Sequence, residues 1–276
     1  MGFLGITVLY HSWYIIIMIP KVIYQTHEKN RPELPEFVQE ISETWINMNP
    51  GYKYVYMNSK ERRDYVGDNY PELIQFYDIM PKKQQKFDWH FPAGVYQADI
   101  WRYVITQKNG GFYADMDSVC IESIDNIFNN YAKTNSYAGQ EIIAFGPKCC
   151  LSLSSKLYKY LPAGNKAKIK NGKKSINNSN FGCSKNSHVM NQVIDSIITR
   201  NAGFMDDEYN PVWNMGPAVF SNILLKNYSN VYFTDQYVGD HRQHYQFELG
   251  ALTNKETFFV DYLGKKMSYS DVLKFK

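Results

Sequence analysis

Two neighbouring stretches decide the fold: Ala98-Asp99-Ile100-Trp101-Arg102-Tyr103, and Gly110-Gly111-Phe112-Tyr113-Ala114-Asp115-Met116-Asp117. Residues 95–108 contain no Pro or Gly and predict a helix. Gly110-Gly111 ends it, because glycine tolerates the left-handed conformation that a helix end needs. Phe112-Tyr113-Ala114 then reads as a strand that delivers Asp115 and Asp117 at its carboxyl end. In open α/β sheets, ligands sit at the carboxyl ends of strands.

The spacing carries chemistry. Alternation along an extended chain puts Asp115 and Asp117 on the same side, within reach of one ion or one ligand. Two ionised carboxylates side by side repel, and a hard divalent cation relieves the repulsion. Mg²⁺ and Mn²⁺ favour carboxylate oxygen, with substrate phosphate completing the shell. Asp99 and Arg102 are three apart on the helix and share a face. Arg102 suits a phosphate or a carboxylate; Asp99 suits sugar hydroxyls. A surface ion pair is the plain alternative for these two. A lone Asp-x-Asp is weak, since about one is expected by chance in such a chain. The helix and the Gly-Gly turn before it give this one its weight.

Working outward, residues 21–25 read as a short buried strand. Pro32 and Pro35 open a helix over 36–47, with Phe37, Ile41 and Trp45 at helical spacing, and Pro50-Gly51 stops it. Residues 52–57 alternate as a second strand. Strand, helix and strand in this order imply a βαβ unit and a parallel sheet. Residues 59–91 read as short helices and loops. Later, 189–199 and 219–225 read as helices, and 231–233 and 258–260 as strands. Residues 156–174 hold seven lysines and read as a solvated loop, with an acidic acceptor or a membrane surface as the alternative.

The bulk numbers bound the rest. With 276 residues, 44% hydrophobic and 21% charged, the chain has the composition of a folded protein. A net charge of +3 argues against a general nucleic-acid binder. The 23 tyrosines offer flat faces with a hydroxyl, which suit carbohydrate, although most serve any core equally well. Cys120, Cys149, Cys150 and Cys183 form no CxxC pair, so zinc is not indicated, and reduced cysteines in a reducing compartment are expected. The sequons at Asn177 and Asn227 are no more than chance supplies.

Residues 3–19 are nearly all apolar and admit two readings. One is a short membrane anchor at the lower limit of length, without the basic flank of a signal peptide. The other is a chain that starts at Met18, directly before the first strand. The organisation expected is an N-terminal extension over 1–18 and one domain over 19–276. The expected location is cytoplasmic, with membrane association through residues 3–19 as the alternative.

The 98–117 stretch resembles the DXD-motif sugar transferases of glycosyltransferase family 32 and, more distantly, the glucosylating bacterial toxins. The pattern A-x-D-x-x-R-Y followed by G-G-x-Y-x-D-x-D is matched at Ala98, Asp99, Arg102, Tyr103, Gly110, Gly111, Tyr113, Asp115 and Asp117, with one offset: Ala98 adjoins Asp99, and Gln97 lies directly before the alanine. Ile19-Pro20-Lys21-Val22-Ile23-Tyr24-Gln25-Thr26 is similar to the family's opening strand, with Tyr24 and His27 where His and Trp are usual. Trp45, Asn49, Pro50 and Tyr54 resemble its W-x-x-x-N-P-x-Y segment, with Tyr54 two residues past the pattern's tyrosine position. Asn180, Ser184 and His188 resemble a later segment, and Met215-Gly216-Pro217 its T-G-P with Met in place of Thr. The closing H-H-W-x-x-S-W is not cleanly present, which leaves a third metal-side ligand open among Asp261, His241 and His244. The resemblance covers most of residues 19–270, most densely over 95–120.

The resemblance implies an α/β domain of the GT-A type, with a Rossmann-like, mostly parallel sheet flanked by helices. It implies a Mn²⁺ or Mg²⁺ cofactor and a UDP- or GDP-sugar donor. Asp115 and Asp117 would hold the metal, with Asp115 also touching ribose or sugar. Asp99 and Arg102 would hold the donor sugar and phosphate, while Gln25 and Tyr113 line the nucleotide pocket. Asn178 or Asn180 would face the anomeric carbon. The activity implied is transfer of a hexose or N-acetylhexosamine, with retention, to a glycan or glycolipid acceptor. Two rivals stand beside it. In a haloacid-dehalogenase-type phosphatase, Asp115 would be nucleophile and Asp117 general acid; but that motif usually opens its domain, and no later Gly-Asp-x-x-x-Asp is present. The other rival is a degenerate transferase that binds nucleotide-sugar or glycan without turnover.

Overall fold

The structure is a computed structural model. It describes residues 19–87, 93–116, 118–120, 123–126, 141–145, 176, 178–201, 214–234, 239–240, 258–260 and 266–268. The chain opens with β1 (Val22–Thr26), α1 (Glu36–Met48) and β2 (Lys53–Met57). α2 (Ser59–Asn69), α3 (Pro71–Phe87) and α4 (Ala93–Asn109) follow. β3 (Gly111–Ala114), β4 (Val119–Cys120), β5 (Ile142–Phe145) and β6 (Asn180–Cys183) come next. α5 (His188–Asn201), α6 (Pro217–Lys226) and β7 (Val231–Thr234) complete the main sheet and its helices. β8 (Gly239–Asp240) pairs with β4, and β9 (Phe258–Val260) with β10 (Lys266–Ser268).

The sheet order is β2-β1-β3-β6-β5-β7. β1 runs parallel to β2 and β3, and β5 parallel to β7. β6 is antiparallel to both β3 and β5. Within this six-stranded sheet every strand but β6 therefore points the same way, and the α/β architecture expected from the sequence is present. The expected βαβ unit is β1-α1-β2. The carboxyl ends of β1 and β3 lie on one edge of the sheet, and β6 starts from that edge, with Ala114 opposite Asn180.

Strand alternation divides the core into two layers. Tyr24, Tyr113 and Phe181 face the layer built by α2 to α6, where they join Val66, Leu73, Trp101, Tyr103, Val193 and Phe220. Ile23, Phe112, Ala114 and Ile143 face the other side, where Trp45 of α1 covers them. α4 runs through the first layer and buries residues almost all round, from Tyr96 to Gln107. A helix apolar around most of its circumference belongs inside a fold. Each large side chain it buries stabilises by about 2 kcal/mol on area arguments.

Residues 59–91 differ from the expectation of short helices and loops: α2 and α3 are regular helices of 11 and 17 residues. A capping box starts α2. Asn58 accepts from the Glu61 backbone N–H at 2.9 Å, and Glu61 accepts from the Asn58 N–H at 2.9 Å. Its polar sequence hides a helix that buries only Arg62 and Val66. α4 also begins two residues earlier than the sequence predicts. The lysine-rich stretch 156–174 lies outside the described residues. Among them, no helix is long and apolar enough to cross a membrane; residues 1–18 are not among them.

The turn between α4 and β3 is made by Gly110 at φ 68° and Gly111 at φ 116°. A Cβ on Gly111 would stand 2.8 Å from the Val22 carbonyl oxygen, and one on Gly110 2.6 Å from Pro20 Cδ. Gly111→Ala is expected to destabilise the protein by about 1–3 kcal/mol in chemical denaturation, the cost of forcing a side chain into that conformation. A loss below about 0.5 kcal/mol, the usual scatter of neutral substitutions, would contradict this account of the turn.

Candidate active site

β3 and α4 bring Asp99, Arg102, Tyr113 and Asp115 together at the carboxyl edge of the sheet. Asp115 is the first residue past β3, and its backbone N–H donates to the Ser179 carbonyl at 2.9 Å, prolonging the pairing with β6. Asp99 and Arg102 stand one turn apart on α4, directly behind it. Arg102 Nη2 lies 3.2 Å from Asp99 Oδ1 and 3.1 Å from Asp115 Oδ1. Its Nη1 donates to the Asn178 carbonyl at 2.7 Å. The guanidinium lies over the Tyr113 ring, 4.3 Å from its centroid. The sequence alternative of a surface ion pair is thereby corrected: Asp99 and Arg102 are both buried, at about one-twentieth exposure.

A second set of hydrogen bonds locks the cluster. Tyr113 OH donates to Asp115 Oδ1 at 2.5 Å. Asn178 Nδ2 donates to Asp99 Oδ1 at 2.8 Å and to Tyr103 OH at 2.7 Å. Gln25 Nε2 donates to the Asp115 carbonyl at 3.1 Å, and Tyr54 OH donates to Gln25 Oε1 at 2.8 Å. Gln25 is fully buried, with both ends of its amide held by protein. It therefore braces the backbone of Asp115. Tyr113 is likewise buried and stands behind Asp115. Asp115 is the member that faces out, its side chain 26% exposed.

Burial dominates the electrostatics. It pushes the Asp99 carboxyl up to about 6; Arg102 and the Asn178 amide pull it back down, and the Asp115 charge raises it further. Burial also opposes the charge on Arg102, but Asp115, Tyr113 and Asp99 outweigh it and hold the guanidinium more firmly protonated. The Tyr113 and Tyr103 hydroxyls are raised well above their ordinary range, chiefly by burial. Both are donors at any working pH.

Asp117, His241, His244 and Asp261 lie outside the described residues. Among the described residues no group of three His, Cys, Asp or Glu side chains is arranged to hold a metal. The chemistry of the donor set still fits a hard cation. Asp115 is an outward-facing carboxylate at a strand end, and a second aspartate follows two residues later. Ser118 Oγ, next in sequence to Asp117, is buried without a hydrogen-bond partner, as is Asn180 Oδ1 opposite the end of β3.

The structure adds residues to which the sequence reading assigned no role. Tyr103 ties Asn178 to α4. Tyr54 orients Gln25, and Trp45 donates from Nε1 to the Ser118 carbonyl at 2.6 Å. Trp45 and Asn49 fit the W-x-x-x-N-P-x-Y spacing, which was visible; Tyr54 lies two residues past the pattern's tyrosine, on β2. The direction of Trp45 toward the chain beyond Asp115 was not visible, because it arises only when α1 packs beneath β3. Asn178, one of two candidates for the anomeric carbon, has its side chain turned to Asp99 and Tyr103.

Asp99 generates a pH prediction. Its carboxyl keeps a proton to higher pH in the folded protein than in the unfolded chain. The folded state then binds more protons between about pH 4 and 6, and this residue's contribution to stability falls as pH rises through that window. The difference in unfolding free energy between wild type and Asp99→Asn is expected to shift by about 3 kcal/mol toward the variant from pH 4 to pH 7, at about 1.4 kcal/mol per unit. A difference that stays constant over this range would refute it.

Comparison with known proteins finds the cluster inside a region that matches a described family. Residues 35–134 match the family described as a glycosyltransferase sugar-binding region containing DXD motif. Inositol phosphoceramide mannosyltransferase 2 of Schizosaccharomyces pombe is 29% identical over 110 residues, which make up 40% of this chain and 28% of that protein. Inositol phosphoceramide mannosyltransferase 3 of the same yeast is 32% identical over 107 residues, 39% of this chain and 26% of that protein. The matched stretch thus spans little more than a quarter of the length of these relatives. Among solved structures, the PaToxG glycosyltransferase is similar at a TM-score of 0.49 with 15% identity, over 76% of this chain and 70% of that one. Residues 35–134, with Asp99, Arg102, Asp115 and Asp117 among them, thus match a glycosyltransferase sugar-binding region containing DXD motif, in line with the family that the sequence resembles.

Proposed function

We propose that the chain is a metal-dependent, retaining glycosyltransferase that takes a UDP- or GDP-sugar and transfers a hexose or N-acetylhexosamine to a glycan or glycolipid. In this proposal residues 19–276 form one GT-A-type domain, and 1–18 an N-terminal extension. The observation that carries it is the buried Asp99–Arg102–Asp115 cluster, which presents a carboxylate at the carboxyl edge of the sheet inside the matched sugar-transferase segment. The names of the two yeast relatives support a hexose as the transferred sugar and a glycolipid as the acceptor.

Asp117, with Asp115, would hold the divalent cation, which when bound supplies neutralisation of charge on the departing diphosphate. Asp115 presents its carboxylate to donor ribose or sugar, held in orientation by Arg102 and Tyr113. Asp99 and Arg102 keep the donor-side role that the resemblance implies, with Asp115 between them and the ligand. Because these groups are pinned before substrate arrives, little reorganisation is needed on binding. In a retaining transfer the acceptor hydroxyl attacks on the face that the diphosphate leaves. A leaving-group oxygen takes its proton, so no strong protein base is required.

Release of nucleoside diphosphate from a panel of UDP- and GDP-sugars, with Mn²⁺ and with EDTA, tests the proposal. Release from one donor that needs Mn²⁺ and falls at least about a hundredfold in Asp117→Asn is the expected result. Cleavage of a phosphomonoester with no nucleotide binding would favour the phosphatase. Nucleotide binding with no release from any donor, even with glycolipid acceptors present, would favour a protein that binds without turnover.

A further inference from the structure

The start of α1 meets the chain before Asp117, and its last two turns with the C-cap meet the chain after it. On the near side, Met116 is buried against Leu34, Val38 and Tyr56, so the residue before Asp117 is seated at the start of α1. On the far side, Trp45 Nε1 donates to the Ser118 carbonyl at 2.6 Å, a bond buried from solvent. Thr44 Oγ1 accepts from the Cys120 backbone N–H at 2.9 Å. Asn49, the C-cap, accepts from the Ile124 N–H at 2.8 Å through Oδ1. Its Nδ2 donates to the Trp45 carbonyl at 3.0 Å and to Cys120 Sγ at 3.4 Å. The Ser118 N–H closes a turn onto the Asp115 carbonyl at 3.1 Å, the same oxygen that Gln25 holds.

These bonds have a common target. Three side chains of α1 and its C-cap reach Ser118, Cys120 and Ile124, at and beside β4, where the chain leaves the motif. β4 is two residues long and pairs only with β8 among the described residues, so polar groups of 118, 120 and 124 that this ladder leaves over are met by side chains. Trp45 and Asn49 meet them from a rigid helix at almost complete burial. We propose that Trp45, Thr44 and Asn49 are positioning residues for the metal-binding motif, a splint that fixes the chain at Ser118, Cys120 and Ile124 immediately after Asp117 in sequence and so raises the affinity of the motif for its cation. This rests on the function proposed above and deepens it, by assigning to the W-x-x-x-N-P segment a task in cation affinity. Partners that orient metal ligands typically change affinity by about 10- to 100-fold when removed.

The test is Mn²⁺ binding to the full chain, read by electron paramagnetic resonance of the free ion in the presence of UDP and of GDP. Trp45→Phe removes the N–H and keeps an aromatic ring; Thr44→Val removes one acceptor at equal size. Both are expected to unfold cooperatively, with Mn²⁺ affinity weakened about tenfold in Trp45→Phe and less in Thr44→Val. Saturating Mn²⁺ is expected to restore donor turnover in Trp45→Phe but not in Asp117→Asn. Folded variants with wild-type Mn²⁺ affinity would overturn the splint while leaving the transferase proposal intact. If Trp45→Phe does not fold, Thr44→Val decides alone. A wild-type protein that takes up no Mn²⁺ with either nucleotide would overturn the function proposed above, and the splint with it.

Discussion

The Arg102 guanidinium joins the elements from which the site is built. It reaches Asp99 on its own helix, Asp115 at the end of β3 and the Asn178 carbonyl beside the start of β6. Taking such a charge out of water costs several kcal/mol, and the pairing holds only because carboxylates and a carbonyl surround it. Removing one partner of a buried pair costs about 3–5 kcal/mol, since the other charge is left uncompensated. The pair Asp99 and Asp115 also outnumbers the single guanidinium they share. Asp99 remains mostly ionised near neutral pH, and Asp117 follows in sequence. The outward side of the cluster is therefore short of positive charge, the condition under which a divalent cation and a diphosphate bind together.

The rest of the fold serves this arrangement. α4 is buried almost all round because it carries Asp99 and Arg102 into the interior, between the sheet and α2, α3 and α5. Gly110 and Gly111 turn the chain tightly enough for β3 to return alongside α4 and set Asp115 against Arg102. From the opposite face α1 covers β3 and supports the segment leaving the motif. Asp115 thus emerges between two packed layers, its backbone held by Ser179 and Gln25 and its side chain by Tyr113 and Arg102.

Much of this was readable from local rules. The α4 helix, its Gly-Gly stop and the β3 strand each follow from residue types and spacing, and the strand-helix-strand order implied the parallel β1–β2 pair. What was not readable depended on distant contacts. α2 has almost no apolar stripe, so periodicity missed it; only the Asn58 and Glu61 capping pair announced it. The reversed direction of β6 depends on pairing with strands far away in sequence. Gln25, which the resemblance places in the nucleotide pocket, proves to be a fully buried brace, because Tyr54 and the Asp115 carbonyl take both ends of its amide. The pairing of Asn178 with Asp99 also spans two elements that nothing in the sequence links.

The central claim is that the Asp115–Asp117 edge binds a nucleoside diphosphate together with a divalent cation. Calorimetric titration of UDP and GDP into the full chain, in Mn²⁺ and again in EDTA, tests it most directly. The account predicts saturable binding of one nucleotide in Mn²⁺, with a dissociation constant on the order of micromolar, lost in EDTA and in Asp115→Asn. Equal binding with and without the metal, or none under either condition, would contradict it.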